Sequence, residues 1–247
     1  MSHVFLLFGA SRGIGAATAQ SLARRGAQVC VTARDEDRVK DVCARAGGNV
    51  WGTGCDISDD ASVAAAVQTT LDKFGRIDTV INFAAFTGPL DGASWQLKQQ
   101  DWDRAVAINM TGPANIIRHC TPVMQKQGNG ALLFASSPFG DATTPGMGAY
   151  GASRAGSHAL VRQLAAELQG TALGAALIYP GMTETDGLSD FRKSRGGAMQ
   201  NAQVASAETM ANLFVWAAMQ SPWDINGATL AWSDQAIRTE AMALGQA

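Results

Sequence analysis

The stretch VFLLFGASRGIG, residues 4–15, decides the fold. Val4–Phe8 is a short apolar run that Gly9 closes, which predicts a buried strand. Helical spacing of apolar residues follows over 16–25, and Gly26 predicts the end of that helix. Glycines in the connecting loop permit a tight turn and a close approach to phosphate, while the helix N-terminus offers free N–H groups to a pyrophosphate.

This strand-loop-helix context predicts a dinucleotide-binding loop, and a plain tight turn is the alternative. The residues expected to contact the cofactor are Gly9, Ser11, Arg12, Gly13, Ile14 and Gly15.

Strands and helices alternate along the rest of the chain. Further strands are predicted at 28–32, 50–55, 78–83, 131–135, 173–179 and 228–232, and further helices at 35–46, 58–74, 101–125, 150–169 and 208–220. Ser58 is expected to cap one helix, Pro122 to kink or end another, and the last fourteen residues have no assigned structure. This alternation predicts an α/β fold, a Rossmann-type doubly wound parallel sheet of about seven strands with helices on both faces. Residues 1–247 are expected to form a single domain.

Composition limits the function classes. The net charge of −2 gives no general attraction to nucleic acid or to anionic membranes. Four scattered cysteines without CxxC or histidine at ligand spacing argue against a metal site and against a disulfide framework. The N-terminus lacks a signal-peptide pattern, and no run approaches a membrane span. We therefore expect a cytoplasmic protein.

Tyr150 and Arg154 are four residues apart in a predicted helix, so they share one face. A neighbouring cation favours phenolate and lowers the pKa of a tyrosine, which lets the phenol exchange a proton near neutral pH. An ordinary tyrosine on an amphipathic helix is the alternative for this short motif.

The residues after the second strand address the choice of cofactor. Dinucleotide folds that bind NAD usually carry an acidic residue there, but this position is Ala33, followed by Arg34. An arginine can bind a 2′-phosphate with two hydrogen bonds, and Arg12 is placed to assist. These residues predict NADP(H), and surface arginines are the alternative. If the strand runs one residue further, Asp35 becomes the candidate ribose ligand and NAD the cofactor.

The spacing GxxxGxG of residues 9–15 resembles the cofactor loop of the short-chain dehydrogenase/reductase family, and the resemblance covers almost the whole chain. It implies further cofactor contacts at strand ends. Asp56 and Ile57 resemble the family's adenine contacts, and the segment from Asn82 to Ala84 resembles part of its Asn-Asn-Ala-Gly signature. After the sixth strand, the implied nicotinamide contacts are Pro180, Gly181, Thr183 and Thr185.

The resemblance also implies the catalytic residues. Ser137 lies thirteen residues before Tyr150, as the family's catalytic serine does, and would polarise a carbonyl while Tyr150 moves the proton. Asn109 matches the family's helix-interior asparagine, which extends a proton relay. The large departure is Arg154, where the family usually has lysine, because an arginine keeps the charge but cannot give up a proton.

Substrate walls are expected from residues 86–95, 138–147 and a substrate loop at about 186–206. The loop is predicted to act as a lid, with its basic residues either solvated or recognising an anion. Helices 101–125 and 150–169 are rich in apolar residues and resemble the family's dimer face, which implies a homodimer or homotetramer.

Two functions follow. The first is an NADP(H)-dependent oxidoreductase of carbonyl reductase type, moving a hydride between nicotinamide and a carbonyl or secondary alcohol of a small molecule. The alternative is an NADP(H)-binding protein with little catalysis, acting as a regulator or scaffold. The unusual Arg154 motivates the alternative.

Overall fold

The structure is a computed structural model, and it describes residues 3–90, 92–184 and 204–245. Seven parallel strands form one sheet in the order β3-β2-β1-β4-β5-β6-β7. The strands are β1 (Val4–Phe8), β2 (Gln28–Ala33), β3 (Val50–Gly54), β4 (Thr79–Asn82), β5 (Gly130–Ala135), β6 (Leu173–Tyr179) and β7 (Thr229–Ala231). The predicted Rossmann-type α/β fold is therefore confirmed.

The helices that connect these strands cover both faces of the sheet. They are α1 (Gly13–Arg24), α2 (Glu36–Ala46), α3 (Asp60–Phe74), α4 (Gln99–Val106), α5 (Gly112–Gln127), α6 (Gly148–Glu167), α7 (Ala207–Met219) and α8 (Gln235–Leu244). Short 3₁₀ turns span Ser94–Gln96 and Pro138–Gly140, and a π-helical segment spans Ala107–Thr111.

Alternate residues of the strands divide between two hydrophobic layers. Phe5 and Leu7 of β1 pack into the layer that α1, α2, α7 and α8 cover, whereas Leu6 and Phe8 face α3, α5 and α6. Each fully buried Leu or Phe side chain stabilises the fold by about 1.5–3 kcal/mol relative to exposure. The continuous apolar runs seen in the sequence are thus explained by strands that are buried on both faces.

Several element ends differ from the sequence-based expectation. Asp59 caps α3 by accepting from the N–H of Ala61, because the Ser58 hydroxyl donates to Asp56 instead. Pro122 lies inside α5 without ending it, since buried residues on both sides of it hold the helix against the sheet. The C-terminal residues form α8, whose first N–H groups donate to Asp234.

The predicted helix at 101–125 is divided into three parts. The segment Ala107–Thr111 is π-helical and joins α4 to α5. A π-helical turn inside a longer helix is frequently found at functional sites. The sequence pattern predicts one continuous helix over this stretch and does not predict the turn.

Candidate active site

The predicted site residues that the structure describes lie at or beside the carboxyl ends of the parallel strands. Strands β2 and β3 are added on one side of β1, and β4 and the later strands are added on its other side. The crevice between the carboxyl ends of β1 and β4 is therefore a topological switch point. Ligands of open α/β sheets bind in the crevice at this point. The loops after β1, β4, β5 and β6 all reach this edge.

The glycine loop packs against the end of β4. Gly9 has a φ of 69°, and a Cβ on it would lie 2.6 Å from the backbone nitrogen of Ala84. A Cβ on Gly15 would lie 2.7 Å from the Cα of Ala10. Both positions therefore need glycine. Its absence of a side chain lets the loop pack closely against the residues that follow β4.

The N-terminus of α1 opens at the same place. Gly13, its first residue, has a φ of 53°. Among the described residues, no side chain caps this helix end, and Arg12 precedes it with extended backbone. Ser11 and Ile14 are half-buried, whereas Arg12 is exposed. Uncapped N–H groups and the positive end of the helix dipole fit an anionic pyrophosphate.

The Asn82 side chain closes the turn that follows β4. It is buried, and its Oδ1 accepts a hydrogen bond of 3.0 Å from the N–H of Ala84. The side chain thereby fixes the backbone against which Gly9 packs. The signature segment from Asn82 to Ala84 is thus part of the glycine-loop contact.

Asp56 and Ile57 follow β3 at the outer part of this edge. Asp56 Oδ1 accepts hydrogen bonds from the N–H and the hydroxyl of Ser58. Burial alone raises the pKa of Asp56, but these bonds and the charges of Arg34 and Arg104 outweigh burial and lower it. Ile57 is buried. The pair therefore offers an ionised carboxylate next to an apolar residue.

The end of β2 holds the residues that bear on the cofactor type. The strand extends to Ala33, one residue beyond the predicted end, which is the circumstance that would favour Asp35 as a ribose ligand. However, Asp35 caps α2 by accepting from the N–H of Arg38 at 3.1 Å, and it also forms an ion pair with that side chain. Arg34 is exposed. The Asp35 carboxylate therefore caps α2 while its side chain stays half-exposed.

A groove of about 420 Å³ runs beside the glycine loop. Three arginines line it, Arg12 from the loop and Arg38 and Arg45 from α2, together with Asp41 and Glu208. Sequence reasoning missed Arg38 and Arg45. Their spacing of seven residues, two helical turns on one face, is the signal that could have identified them.

Tyr150 and Arg154 lie one turn apart on α6, as the spacing predicted. Both are buried, with exposed fractions of 9 % and 4 %. The Arg154 guanidinium carbon is 5.3 Å from the Tyr150 ring centre, and Nη1 donates to the Ala135 carbonyl at 3.1 Å. Its buried Nε has no hydrogen-bond partner within the described part of the chain. Buried donors without a partner are rare in folded proteins, which makes Arg154 Nε a candidate contact for a bound group.

Ser137 and Asn109 belong to two other elements, each of which packs against α6. Ser137 follows β5, and its Oγ accepts a long bond of 3.4 Å from the N–H of Phe139, which does not use the hydroxyl hydrogen. Asn109 lies in the π-helical segment and is fully buried. Its amide bonds both backbone groups of Phe86 and donates to Ser153 Oγ at 3.0 Å. Asn109 thus ties the loop after β4 to α6.

The described part of the segment after β6 includes a β-bridge. Gly181 has a φ of 71°, and Thr183 is buried and forms a parallel β-bridge with Ala205. The predicted contact Thr185 and most of the predicted loop at 186–206 lie outside the described residues. Pro180 is half-buried at the end of β6. The bridge fixes both ends of the segment beside the sheet edge.

An apolar cluster adjoins Tyr150. Leu90, Met147 and Tyr150 pack together, and Phe139 lies against them. The Phe139 and Tyr150 rings meet edge to face, with centres 6.4 Å apart. Two of the three expected substrate walls, 86–95 and 138–147, therefore contribute apolar side chains beside the phenol.

A hydrogen-bonded network that the sequence analysis did not predict includes Ser136, the residue before Ser137. The buried His158 contacts Ser136, Asp141 and Tyr179. Burial lowers the pKa of His158, although Asp141 opposes this. Because His158 is four residues after Arg154 on α6, its position on the same helical face was a usable signal.

The remaining reactive groups of the chain are elsewhere. All four cysteines are free thiols, and burial raises the pKa of Cys30 to about 12 and of Cys55 to about 11. Within the described ranges, His, Cys, Asp and Glu form no cluster that could hold a metal. The described helices include none with the length and apolarity to cross a membrane.

The switch-point crevice, the uncapped helix and the glycine loop define a protein of the dinucleotide-binding α/β class. The family model described as "Enoyl-(Acyl carrier protein) reductase" matches residues 9–232. The chain belongs to the short-chain dehydrogenase/reductase family, whose members carry out nicotinamide-dependent oxidoreduction.

Individual relatives match over most of their length. The 3-oxoacyl-[acyl-carrier-protein] reductase FabG of Escherichia coli (strain K12) is 29% identical over 92% of this chain and 94% of its own. The short-chain reductase protein NovJ of Streptomyces niveus is 31% identical over 84% and 79%. An actinorhodin polyketide ketoreductase variant, solved with NADPH, superposes with a TM-score of 0.85 at 22% identity, covering 93% and 95% of the two chains.

Proposed function

We propose that the protein is an NADP(H)-dependent reductase that moves a hydride between nicotinamide and a carbonyl or secondary-alcohol carbon of a small molecule. The observation that carries the proposal is the buried Tyr150 phenol beside the buried Arg154 guanidinium. A cation without a carboxylate partner is costly to bury. Its place next to a phenol at the switch-point edge supports a role in proton transfer.

The residues present fit a nicotinamide dinucleotide. The glycine loop leaves no room for side chains at Gly9 and Gly15, and Arg154 Nε is a buried donor that awaits an acceptor. Arg154 would bond the ribose on the nicotinamide side, and the α1 N-terminus would hold the pyrophosphate. When bound, the cofactor supplies or accepts the hydride.

The side chains of the protein would handle the proton and the developing charge. Ser137 donates its hydroxyl hydrogen to the substrate oxygen, which is more negative in the transition state. Tyr150 gives its proton to the same oxygen in reduction and takes it back in oxidation. The Arg154 guanidinium lies over the Tyr150 ring and keeps a positive charge in the site throughout.

Arg154 itself cannot pass on a proton, because guanidinium is not deprotonated in proteins. Tyr150 must therefore regain its proton by a route that does not include Arg154. The π-helical turn at Asn109 interrupts the regular hydrogen bonding of the helix, which supports a water-mediated route at that backbone. We infer a slower or narrower activity than a lysine would support.

The arginines at the adenosine end support NADP(H) over NAD. Arg12 lines the groove beside the glycine loop and the exposed Arg34 follows β2, whereas Arg38 and Arg45 are paired with Asp35 and Asp41. The Asp35 carboxylate, which would repel a 2′-phosphate, is paired with Arg38 and accepts an N–H at the N-terminus of α2. NADPH in the solved actinorhodin ketoreductase variant and the FabG relationship are consistent with this preference.

The apolar side chains beside Tyr150 indicate a substrate whose carbonyl is flanked by apolar groups. FabG of E. coli is named for a 3-oxoacyl substrate, so a 3-oxoacyl thioester belongs in the first panel tested. The direct experiment follows loss of NADPH absorbance with a panel of ketones, aldehydes and 3-oxoacyl thioesters. Turnover with no member, at saturating NADPH, would contradict the proposal.

The alternative is an NADP(H)-binding regulator or scaffold. Arg154 favours it, because its Nη1 is already bonded to Ala135 and its charge is fixed. NADPH binding without turnover, together with a Tyr150→Phe variant of intact biological activity, would support this alternative. A pure binding protein has no need of Ser137, Tyr150 and Asn109 around one crevice, which favours the enzyme.

Assembly into a homodimer or homotetramer through α4, α5 and α6 stays a prediction, as does a cytoplasmic location. The exposed Trp102 and Met110 on this side support an interface, since large exposed apolar side chains mark contact surfaces. Sedimentation velocity of the wild type and of a Met110→Lys variant tests it. An unchanged monomer in both would remove the prediction.

A further inference from the structure

His158 bonds both ends of the turn that carries Ser137. Its Nε2 is 2.6 Å from Ser136 Oγ, immediately before Ser137, and its Nδ1 is 3.1 Å from Asp141 Oδ1, after the 3₁₀ turn. His158 belongs to α6, two turns beyond Tyr150. One imidazole thus fastens the whole turn 136–141 to the helix that presents the phenol.

The turn lies directly on the imidazole. A Cβ on Gly140 would be 2.5 Å from His158 Cε1 and 2.7 Å from Nδ1. Between the two fastened ends, Phe139 contacts the Tyr150 ring. The position of Ser137 relative to Tyr150 therefore depends on where His158 holds the turn.

Asp141 is itself held by several donors. It accepts from the Tyr179 hydroxyl and from Arg162 at 2.9 Å. Burial raises the pKa of Asp141, but the bonds from Tyr179, Arg162 and His158 outweigh burial and lower it to about 2. The ionised carboxylate accepts from Nδ1–H of His158, so neutral His158 accepts the Ser136 hydroxyl at Nε2.

Ser136, His158 and Asp141 are hydrogen-bonded in the same succession as the serine, histidine and aspartate of a hydrolytic triad. The burial of His158 argues against hydrolysis. In such a triad the histidine passes a proton to a leaving group, which must reach Nε2. The His158 side chain is only 1% exposed, and Gly140 and the stacked Tyr179 ring, with centres 5.6 Å apart, cover it. The arrangement fits the holding of a turn better than attack on an acyl group.

We propose that His158 is a positioning residue, which sets the distance between Ser137 and Tyr150 by holding the turn 136–141 at both ends. The inference deepens the proposed reductase function and rests on it. A small displacement of Ser137 weakens its bond to the substrate oxygen in the transition state more than it weakens cofactor binding.

The charge state of His158 matters for this role. Its charged and titratable neighbours are Asp141 on the turn, Arg154 and Arg162 on α6, and Tyr179 on β6. Protonation would convert Nε2 from acceptor to donor, which forces the Ser136 hydroxyl to turn, and would add a second buried cation near Arg154. Neutral His158 therefore holds the turn in the position that catalysis requires. We expect kcat to fall as the pH decreases and His158 becomes protonated.

Steady-state kinetics of Ser136→Ala and His158→Gln tests the proposal. Ser136→Ala removes one bond with little change of volume, and it supplements His158→Gln should that variant fold poorly. Gln163→Ala is the control, an exposed residue of the same helix. We expect kcat to fall about tenfold or more in both variants, with less than about a twofold change in the NADPH dissociation constant. The acid limb of the kcat profile should disappear in His158→Gln.

The outcomes separate the two proposals. Absence of wild-type turnover overturns the reductase function and, with it, this inference. Wild-type turnover together with an unchanged kcat in Ser136→Ala, or an unchanged acid limb in His158→Gln, overturns only the role of His158. Covalent labelling of Ser136 by a fluorophosphonate probe would also overturn it, because it would reveal an accessible nucleophile.

Discussion

The guanidinium of Arg154 covers the ring of Tyr150, with 5.3 Å between its central carbon and the ring centre, one turn along α6. A cation over an aromatic face is attracted by the electron-rich ring. The pair joins a fixed positive charge to the group that is proposed to move the proton.

Tyr150→Phe should abolish turnover while leaving NADPH binding nearly intact. The phenol is the proposed acid and base, and loss of such a group costs about 10²–10⁴-fold in rate. The ring itself, with its contacts to Phe139 and Arg154, remains. Stopped-flow reduction and fluorescence titration of NADPH measure the two effects separately. Equal loss of both would indicate a structural role only.

Arg154→Lys should keep or raise turnover, because a lysine ammonium retains the charge and can also exchange a proton. Arg154→Met should lower turnover sharply, since it removes the charge and leaves the Ala135 carbonyl without its donor. Measurement of kcat for both variants at saturating NADPH tests this. A sharp loss in Arg154→Lys would show that the site is adapted to arginine.

Gly9→Ala should prevent cofactor binding and destabilise the fold. The new Cβ would clash with Ala84 and would also require a φ of 69°, a conformation that costs an L-residue about 1 kcal/mol or more. Gly26→Ala is a matched control, because its φ of 80° is similar but nothing lies within 4 Å of the new Cβ. NADPH titration should separate the two variants. Normal binding by Gly9→Ala would contradict the proposed pyrophosphate site.

Arg12→Ala and Arg34→Ala should each weaken NADPH binding by about tenfold and leave NADH binding almost unchanged, because each would lose a charge-assisted bond to the 2′-phosphate. Lys126→Ala, an exposed cation in the last turn of α5, controls for general charge. Calorimetric dissociation constants for both cofactors test the prediction. Tighter binding of NADH than of NADPH by the wild type would overturn the cofactor assignment.

The free energy of unfolding should fall as the pH decreases from about 6.5, the usual histidine pKa. Burial lowers the pKa of His3 and of His158 in the folded state, so the unfolded chain binds protons first. Urea denaturation between pH 7.5 and 5, a range chosen at roughly one unit either side of the histidine value, measures the slope.

His158→Gln should flatten that slope, whereas Gln163→Ala, at an exposed position of the same helix that carries no titratable group, should not. The carboxyl groups with lowered pKa, such as Asp141, respond only in more acidic solution, because their unfolded value is about 3.9. A slope that is unaffected by His158→Gln would exclude this histidine as the source.

The sequence by itself determined the parallel α/β fold, because short apolar runs followed by amphipathic helices report burial on both faces of a sheet. It also located the glycine loop and the Tyr150–Arg154 pair, since each lies within a single element or turn. The spacing of residues within one element determines which side chains share a face, and it does not depend on distant parts of the chain.

The tertiary structure alone decided what the longer-range contacts are. His158 meets Ser136 and Asp141, and Asn109 joins the loop of Phe86 to α6, although none of these pairs has a sequence pattern. Periodicity reports which face of an element is buried, but not which side chain of another element meets it. The pairing of polar groups in the core depends on how the packed elements align, and only the folded chain fixes that alignment.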